Sequence, residues 1–185
     1  MRKVEIEITG SSPLLFNGWP GQIGDKPPVN EEEEIAQGWR RLYTNGSGPF
    51  WPVDNLKACW YLGAKKARQV FNLKRKGGAG IADFIRSGVF IDPMEIPFGV
   101  KEADGLHEKM GRIPPGPKGK AVLIRRPILK EWRLAFTAIV LDPVMTDDEM
   151  RISLEAAGMF VGMGGHRPEF GRFEVTKFVA QRSEA

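Results

Sequence analysis

The sequence has few residues suited to covalent cross-linking or acid–base catalysis. Cys59 is the only cysteine among 185 residues, so neither an internal disulfide nor a zinc site built from several cysteines can form. His107 and His166 are the only histidines. No run of about 18 apolar residues occurs, and the amino terminus alternates charged and apolar side chains, unlike a secretory signal. We therefore expect a cytoplasmic protein without a membrane partner.

The modest net charge of +4 conceals a strong separation of charge along the chain. Residues 65–133 carry 16 Lys and Arg against 7 Asp and Glu, a net of +9, which leaves −5 for the remainder. Each Lys or Arg that meets a phosphate releases condensed counterions, so a segregated basic region favours a polyanionic partner. A solvated surface that balances the acidic remainder is the alternative interpretation.

The hydrophobic periodicity predicts a core of strand, helix, strand, strand, helix, strand. Residues 3–9 and 131–141 alternate with period two, as half-buried strands do. Apolar residues from Leu56 to Phe71 recur at helical spacing, and Cys59 lies on that stripe, so we predict that it is buried. Thr146 and Glu149 form a T-x-x-E capping box at the start of the second helix.

This order predicts an α+β fold of the ferredoxin-like or RNA-recognition-motif type. In such a fold a four-stranded antiparallel sheet carries both helices on one face. We expect one domain over residues 1–185, with insertions at about 10–50 and 99–130, the second a basic hairpin.

A glycine-rich loop, G-M-G-G-H-R-P-E-F-G-R-F, precedes the last predicted strand at residues 162–173. Glycines can adopt positive φ and let another backbone approach closely, and their amides can point outward as anion donors. The loop closes a helix instead of opening one, and no GK[ST] follows it, so we expect no nucleotide cofactor. A helix C-cap followed by a tight turn is the alternative.

This loop resembles the C-terminal glycine-rich loop of the RAMP (repeat-associated mysterious protein) superfamily, which includes the CRISPR backbone subunits that polymerise along guide RNA. The matching residues are Gly162, Gly164, Gly165, Arg167, Gly171 and Arg172, together with Ser12-Pro13-Leu14-Leu15 after the first strand. The resemblance implies a thumb between the second and third core strands, to which residues 99–130 would correspond. It fits a subunit of an effector complex or a compact stand-alone relative, for example one encoded by a phage.

We predict a non-catalytic protein that binds single-stranded RNA or DNA and oligomerises along the strand, with other effector-complex subunits as further partners. The predicted contacts are Lys57, Lys65, Lys66, Arg68, Lys74, Arg75, Lys76, Arg112, Lys118, Lys120, Arg125, Arg126, Gly162, Gly164, Gly165, His166, Arg167, Gly171 and Arg172. Trp19, Trp39 and Tyr61 are candidates for stacking on bases.

Two alternative functions remain open. The first is a RAMP-type endoribonuclease that processes RNA. RNA-cleaving members of the superfamily use a histidine, commonly near the amino-terminal end of the fold, but no histidine precedes His107 here. A metal site of Asp104, His107 and Glu108 would lack the H-E-x-x-H spacing, so we expect no metal. The second alternative is a protein-binding module that mimics or inhibits a RAMP complex.

Overall fold

The computed structural model describes residues 1–18, 30–73, 80–113, 120–141 and 144–181, without the side chains of residues 112, 113 and 120. Within these ranges ten strands and four helices form, and the last helix continues into one π-helical turn. In chain order they are β1 (Arg2–Gly10), β2 (Leu14–Leu15), α1 (Glu31–Trp39), β3 (Thr44–Asn45), β4 (Gly48–Pro52), α2 (Val53–Val70), α3 (Ile81–Gly88), β5 (Val89–Asp92), β6 (Glu95–Pro97), β7 (Gly105–Ile113), β8 (Lys120–Leu129), β9 (Arg133–Val140), α4 (Asp147–Ala156), the π turn (Ala157–Val161) and β10 (Phe173–Gln181).

The central sheet has the strand order β10-β1-β9-β5, and every neighbouring pair is antiparallel. With α2 between β1 and β5, and α4 between β9 and β10, this is the ferredoxin-like topology that the sequence predicts. Alternate residues of β1, namely Val4, Ile6 and Ile8, are buried. The predicted alternation of β9 is confirmed as well, since Leu134, Phe136, Ala138 and Val140 are all buried.

Helices α2 and α4 cover one face of this sheet and pack closely on each other. A Cβ atom on Gly63 would lie 2.6 Å from the Cα of Ala157, so the glycine lets α2 approach the π turn. Cys59 is 1% exposed, as predicted, and burial raises the pKa of its thiol to about 12. Thr146 and Glu149 form both hydrogen bonds of the predicted capping box.

Two small three-stranded sheets accompany the central one: β2-β8-β7, built from the two insertions, and β3-β4-β6, which also uses Glu95–Pro97 after β5. Strands β7 and β8 form an antiparallel hairpin in which Gly105 lies opposite Ile128 and Ile113 opposite Lys120. This hairpin occupies the place expected for residues 99–130. The short strand β2 pairs with β8 and so attaches the hairpin to the segment that follows β1.

Candidate nucleic-acid interface

The two central strands of the sheet present no aromatic side chain on its open face. RNA-recognition motifs bind RNA by stacking bases on aromatic side chains of this face. Here the outward-facing residues of the two central strands, β1 and β9, include no aromatic side chain. Glu5 and Glu7 lie on this face, and Glu5 is paired with Lys177 at 2.7 Å. The two central strands therefore lack the stacking surface that RNA-recognition motifs use.

The glycine-rich loop packs against the segment that follows β1. The amide of Gly165 donates to the carbonyl oxygen of Leu15 at 2.9 Å, and the amide of Gly171 donates to that of Pro13 at 2.8 Å. The amide of Arg172 donates to the Ser12 hydroxyl at 3.0 Å. The prediction that the amides of Gly165 and Gly171 point outward to bind anions is therefore wrong, because both bond the protein's own backbone.

Three of the loop glycines are required by backbone conformation. Gly162, Gly164 and Gly171 have φ values of +72°, +75° and +74°, where an L side chain is strained. A Cβ atom on Gly171 would also lie 2.7 Å from the amide nitrogen of Met163, so there is no room for one. The glycines thus shape the loop, and its side chains are left to contact a ligand.

Two adjacent arginines of β8 point to opposite faces of the hairpin, as neighbours in a strand must. Arg125 is 5% exposed and is bonded to Glu108 at 2.7 Å, Glu34 at 2.9 Å and Glu31 at 3.0 Å. The bond to Glu108 is the main cause that raises its pKa. Arg125 was predicted to hold a phosphate, but it instead fixes α1 to the hairpin, because these carboxylates occupy its guanidinium.

The next residue, Arg126, faces the glycine-rich loop. Its Nη1 lies 2.7 Å from Nε2 of His166, and its Nε donates to Oδ1 of Asn17 at 3.1 Å. An arginine can only donate, so His166 accepts through an unprotonated Nε2. His107, opposite Arg126 in the β7–β8 register, lies with its ring 6.3 Å from that of His166 and 5.0 Å from that of Phe170.

Positive charge accumulates around this contact. Burial lowers the pKa of Arg126, and the charge of Arg41 lowers it further. Burial is also the main cause that lowers the pKa of His166, and the charge of Arg126 is the second. The negative charge of Glu169 raises this pKa and so offsets part of the effect. Within the described ranges neither Arg41 nor Arg126 forms an ion pair with a carboxylate, and we call these two residues the arginine cluster.

A cavity of about 190 Å³ lies beside the arginine cluster. Polar and aromatic side chains from four parts of the chain line it, among them Asn17, Tyr43, Trp51, Asn55, Met163 and Arg167. Trp51 is 1% exposed, and its indole Nε1–H has no hydrogen-bond partner among the described residues. A larger cavity of about 420 Å³, between the π turn and β10, is lined by charges of both signs, namely Glu155, Glu174 and Arg172.

The predicted basic residues of α2 form a second surface, separate from the cavity. Lys65, Lys66 and Arg68 are exposed, and Nζ of Lys65 lies 4.4 Å from the centroid of the Tyr61 ring. Lys57 is half-buried and donates to the carbonyl oxygen of Arg86 at 2.9 Å. Lys65 lies ten residues along α2 from the cavity residue Asn55, which corresponds to about 15 Å of helix.

Several predicted contacts fall outside the described residues. Lys74, Arg75, Lys76, Lys118 and the stacking candidate Trp19 lie in segments that are not described, as do the side chains of Arg112 and Lys120. Arg172 is described, but its Nε donates to the carbonyl oxygen of Pro168 at 2.8 Å, and it lines the larger cavity. Trp39 is 40% exposed on α1.

Sequence reasoning missed five residues of this site. Asn17, Arg41, Tyr43, Trp51 and Asn55 come from segments that carry no recognisable motif. They are brought together by long-range contacts, such as the bond from the Gly18 amide to the Arg41 carbonyl oxygen at 3.0 Å. Only the position of Asn17, two residues after the S-P-L-L motif, offers a local clue.

Metal and membrane sites were also sought in the described ranges. These ranges contain no group of three or more His, Cys, Asp or Glu side chains placed to hold a metal ion. They also contain no helix that is long and apolar enough to span a bilayer.

Together, these features define the chain as a ferredoxin-like α+β protein with an inserted hairpin and a glycine-rich loop before its last strand. No protein-family model matches the chain, and no curated protein matches it. Among solved structures, the chain is similar to one described as the cryo-EM structure of the Type III-B Cmr-beta bound to cognate target RNA. The identity is 15% and the TM-score 0.55, with 98% of this chain and 61% of that chain covered. The likeness concerns the fold, and this chain spans less than two thirds of its neighbour.

Proposed function

We propose that the protein binds single-stranded nucleic acid, with RNA as the first candidate, at the surface formed by the arginine cluster, His166 and the neighbouring hairpin. The observation that carries this proposal is the uncompensated charge of the arginine cluster. Two half-buried arginines, one of which lowers the pKa of the other, are held together without an ion-paired carboxylate among the described residues. An anion such as a phosphate would relieve that repulsion.

The choice of a nucleic acid as the anion rests on two further observations. The basic region of residues 65–133, with its net charge of +9, supplies this surface with Arg126, His107 and Lys109 from the hairpin. The structural neighbour belongs to a complex that was determined with its target RNA bound. Together with the resemblance of the loop to RAMP proteins, this favours RNA over DNA.

We also propose that the protein does not cleave its ligand. General acid–base cleavage needs a histidine whose ring nitrogens are free to exchange protons with the substrate. Nε2 of His166 is instead bonded to Arg126 at 2.7 Å. A labelled RNA should therefore stay intact in the presence of the protein. Cleavage that is lost in His107→Ala or His166→Ala would establish the endoribonuclease alternative instead.

Assembly along the strand is the third part of the proposal. The separation of +9 in residues 65–133 from −5 elsewhere lets the basic part of one copy attract the acidic part of the next. The mass of the complex should therefore grow in whole protomer steps as the oligonucleotide lengthens. A single bound copy at every length would contradict this assembly while leaving the binding itself intact.

The decisive experiment is a salt titration of binding to a fluorescent single-stranded oligonucleotide, followed by anisotropy. The logarithm of the binding constant should fall with the logarithm of salt concentration by about 0.7 for each neutralised phosphate. Arg126→Gln should weaken binding and reduce that slope. Arg151→Gln is the matched control, because Arg151 is exposed on α4 and, among the described residues, pairs with Glu155 at 2.8 Å.

A binding constant that does not depend on salt would contradict the proposal. If the folded protein ignores every oligonucleotide but binds a protein partner tightly, the alternative of a protein-binding module is favoured. RNA and DNA of one sequence, tested side by side, decide which of the two is the ligand.

A further inference from the structure

Arg126 and His166 form a contact that requires a neutral histidine. Nη1 of Arg126 lies 2.7 Å from Nε2 of His166, and because an arginine can only donate, the imidazole nitrogen is the acceptor. A protonated imidazole carries an N–H group on both nitrogens and cannot accept. Protonation of His166 therefore breaks this contact and places two positively charged donors side by side.

The glycine-rich loop holds the backbone of His166 beside Arg126. His166 has a φ of +54°, a left-handed conformation that is uncommon for residues other than glycine. The amide of the preceding Gly165 donates to the carbonyl oxygen of Leu15 at 2.9 Å, and the carbonyl oxygen of His166 accepts from the amide of Phe170 at 3.3 Å. The imidazole therefore stays within reach of a ligand that binds at Arg126.

The charged and titratable groups described around His166 are mostly basic. Arg126 lies on β8, Lys109 and His107 lie on β7, and Glu169 lies in the loop itself. Burial is the main cause that lowers the pKa of His166, and the charges of the three basic neighbours lower it further, whereas Glu169 raises it. In the free protein the surroundings of the imidazole thus favour its neutral form.

A phosphate on the arginine cluster would reverse this balance. Within the described ranges Arg126 uses two of its five N–H groups, for His166 and Asn17, so three remain for phosphate oxygens. An oxygen bonded to the guanidinium at about 2.8 Å would bring negative charge within about 6 Å of Nε2 of His166. At that distance an opposite charge favours the protonated imidazole, whose Nε2–H group can donate to the same phosphate.

We infer that His166 takes up a proton when a phosphate binds at the arginine cluster, and that the protonated ring then donates to that phosphate. The inference rests on the proposed function and adds to it a dependence on pH. Because one proton is bound together with the ligand, the binding constant rises by up to about tenfold for each unit by which the pH falls. This rise is confined to the window between the lowered pKa of His166 in the free protein and its higher pKa in the complex.

The test measures the binding of a fluorescent oligouridine by anisotropy at pH 7.5 and at pH 5.5, at one salt concentration. The oligonucleotide carries no terminal phosphate, because such a group titrates near pH 6 and would itself bind a proton. The wild-type protein should bind about tenfold more tightly at pH 5.5. His166→Gln, whose amide oxygen can still accept from Arg126, should bind at both pH values with a difference of less than about twofold.

His107→Gln is the matched control, because His107 is the only other histidine and its ring lies 6.3 Å from that of His166. Whatever its effect on the affinity itself, this variant should keep most of the ratio between the two pH values. It also leaves His166 as the single imidazole, so that the ring signals in an NMR titration report one group. The pKa of His166 measured in this way should be higher with the oligonucleotide bound than without it.

The outcomes are distinguishable from a failure of the proposed function. If His166→Gln keeps the wild-type ratio, if the ratio is lost in His107→Gln instead, or if the pKa of His166 does not rise on binding, the proton uptake is overturned while salt-dependent binding remains. Tighter binding at pH 7.5 than at pH 5.5 would overturn it as well. If the wild-type protein binds the oligonucleotide at neither pH, the proposed function itself fails, and the inference fails with it.

Discussion

Replacing Gly171 by alanine should markedly lower the melting temperature of the protein. The size of the change follows from the backbone that surrounds Gly171. Gly171 has a φ of +74°, and a Cβ there would lie 2.7 Å from both the amide nitrogen and the carbonyl carbon of Met163. Its amide and carbonyl groups also bond to Pro13 at 2.8 Å and Met163 at 2.9 Å. The added methyl must therefore displace backbone that holds the loop to the segment after β1.

Gly99 is a matched control for this substitution. It has the same φ of +74°, but no atom lies within 4 Å of the place where its Cβ would be. Gly99→Ala therefore carries only the cost of the left-handed conformation, about 1–2 kcal/mol, which both variants share. Gly171→Ala adds overpacking of about 1–3 kcal/mol and weakens two hydrogen bonds of about 1 kcal/mol each.

The unfolding free energy of Gly171→Ala should thus lie about 3 kcal/mol below that of Gly99→Ala. In a chain of this size the difference corresponds to a melting temperature lower by about 6–12 °C. Urea unfolding followed by tryptophan fluorescence, with thermal unfolding by circular dichroism, measures both quantities. Variants within 0.5 kcal/mol of each other, a margin of about the usual error, would refute the steric argument.

Two further predictions concern titratable groups. Cys59 is 1% exposed, its Sγ donates to the carbonyl oxygen of Gly162 at 3.2 Å, and burial raises the pKa of its thiol to about 12. A thiol reagent at pH 8 should therefore label Cys59 only after denaturation. Rapid labelling of the folded protein would contradict the buried position of Cys59. Burial and the charge of Arg126 lower the pKa of His166 in the folded protein. Below about pH 6.5 the unfolded chain therefore takes up a proton that the folded protein resists, so the free energy of unfolding decreases as the pH is lowered. Urea unfolding at pH 7.5 and 5.5 should show a smaller fall in His166→Gln, whereas an equal fall in both proteins would assign the pH dependence to other groups.

The parts of the fold that sequence predicts are those with local periodicity. The alternation through β9 and the apolar stripe around Cys59 indicate which side of each element is buried. The order of the elements predicted in this way agrees with the topology of the central sheet. The capping box of Thr146 is equally local, since it spans four residues. Such patterns need no knowledge of distant partners.

The candidate site could be predicted only in part, because its contacts join residues far apart in sequence. Arg125 and Arg126 are equivalent basic residues in the sequence, and only the register of β8 against β7 places Glu108 beside the first and His107 beside the second. The glycine-rich loop was recognised as important, but the use of its amides depended on the segment near Leu15, about 150 residues away. Periodicity carries no information about such partners.

The position of β1 in the sheet has a consequence for biosynthesis. Both neighbours of β1, namely β9 and β10, lie in the last third of the chain. At about 5–20 residues per second, a ribosome needs roughly 10–30 s to reach β10 after it has made β1. Until β9 has been made, Val4, Ile6 and Ile8 have no strand partner, and the second partner of β1 follows only with β10. The central sheet can therefore be completed only after β10 has emerged from the ribosome.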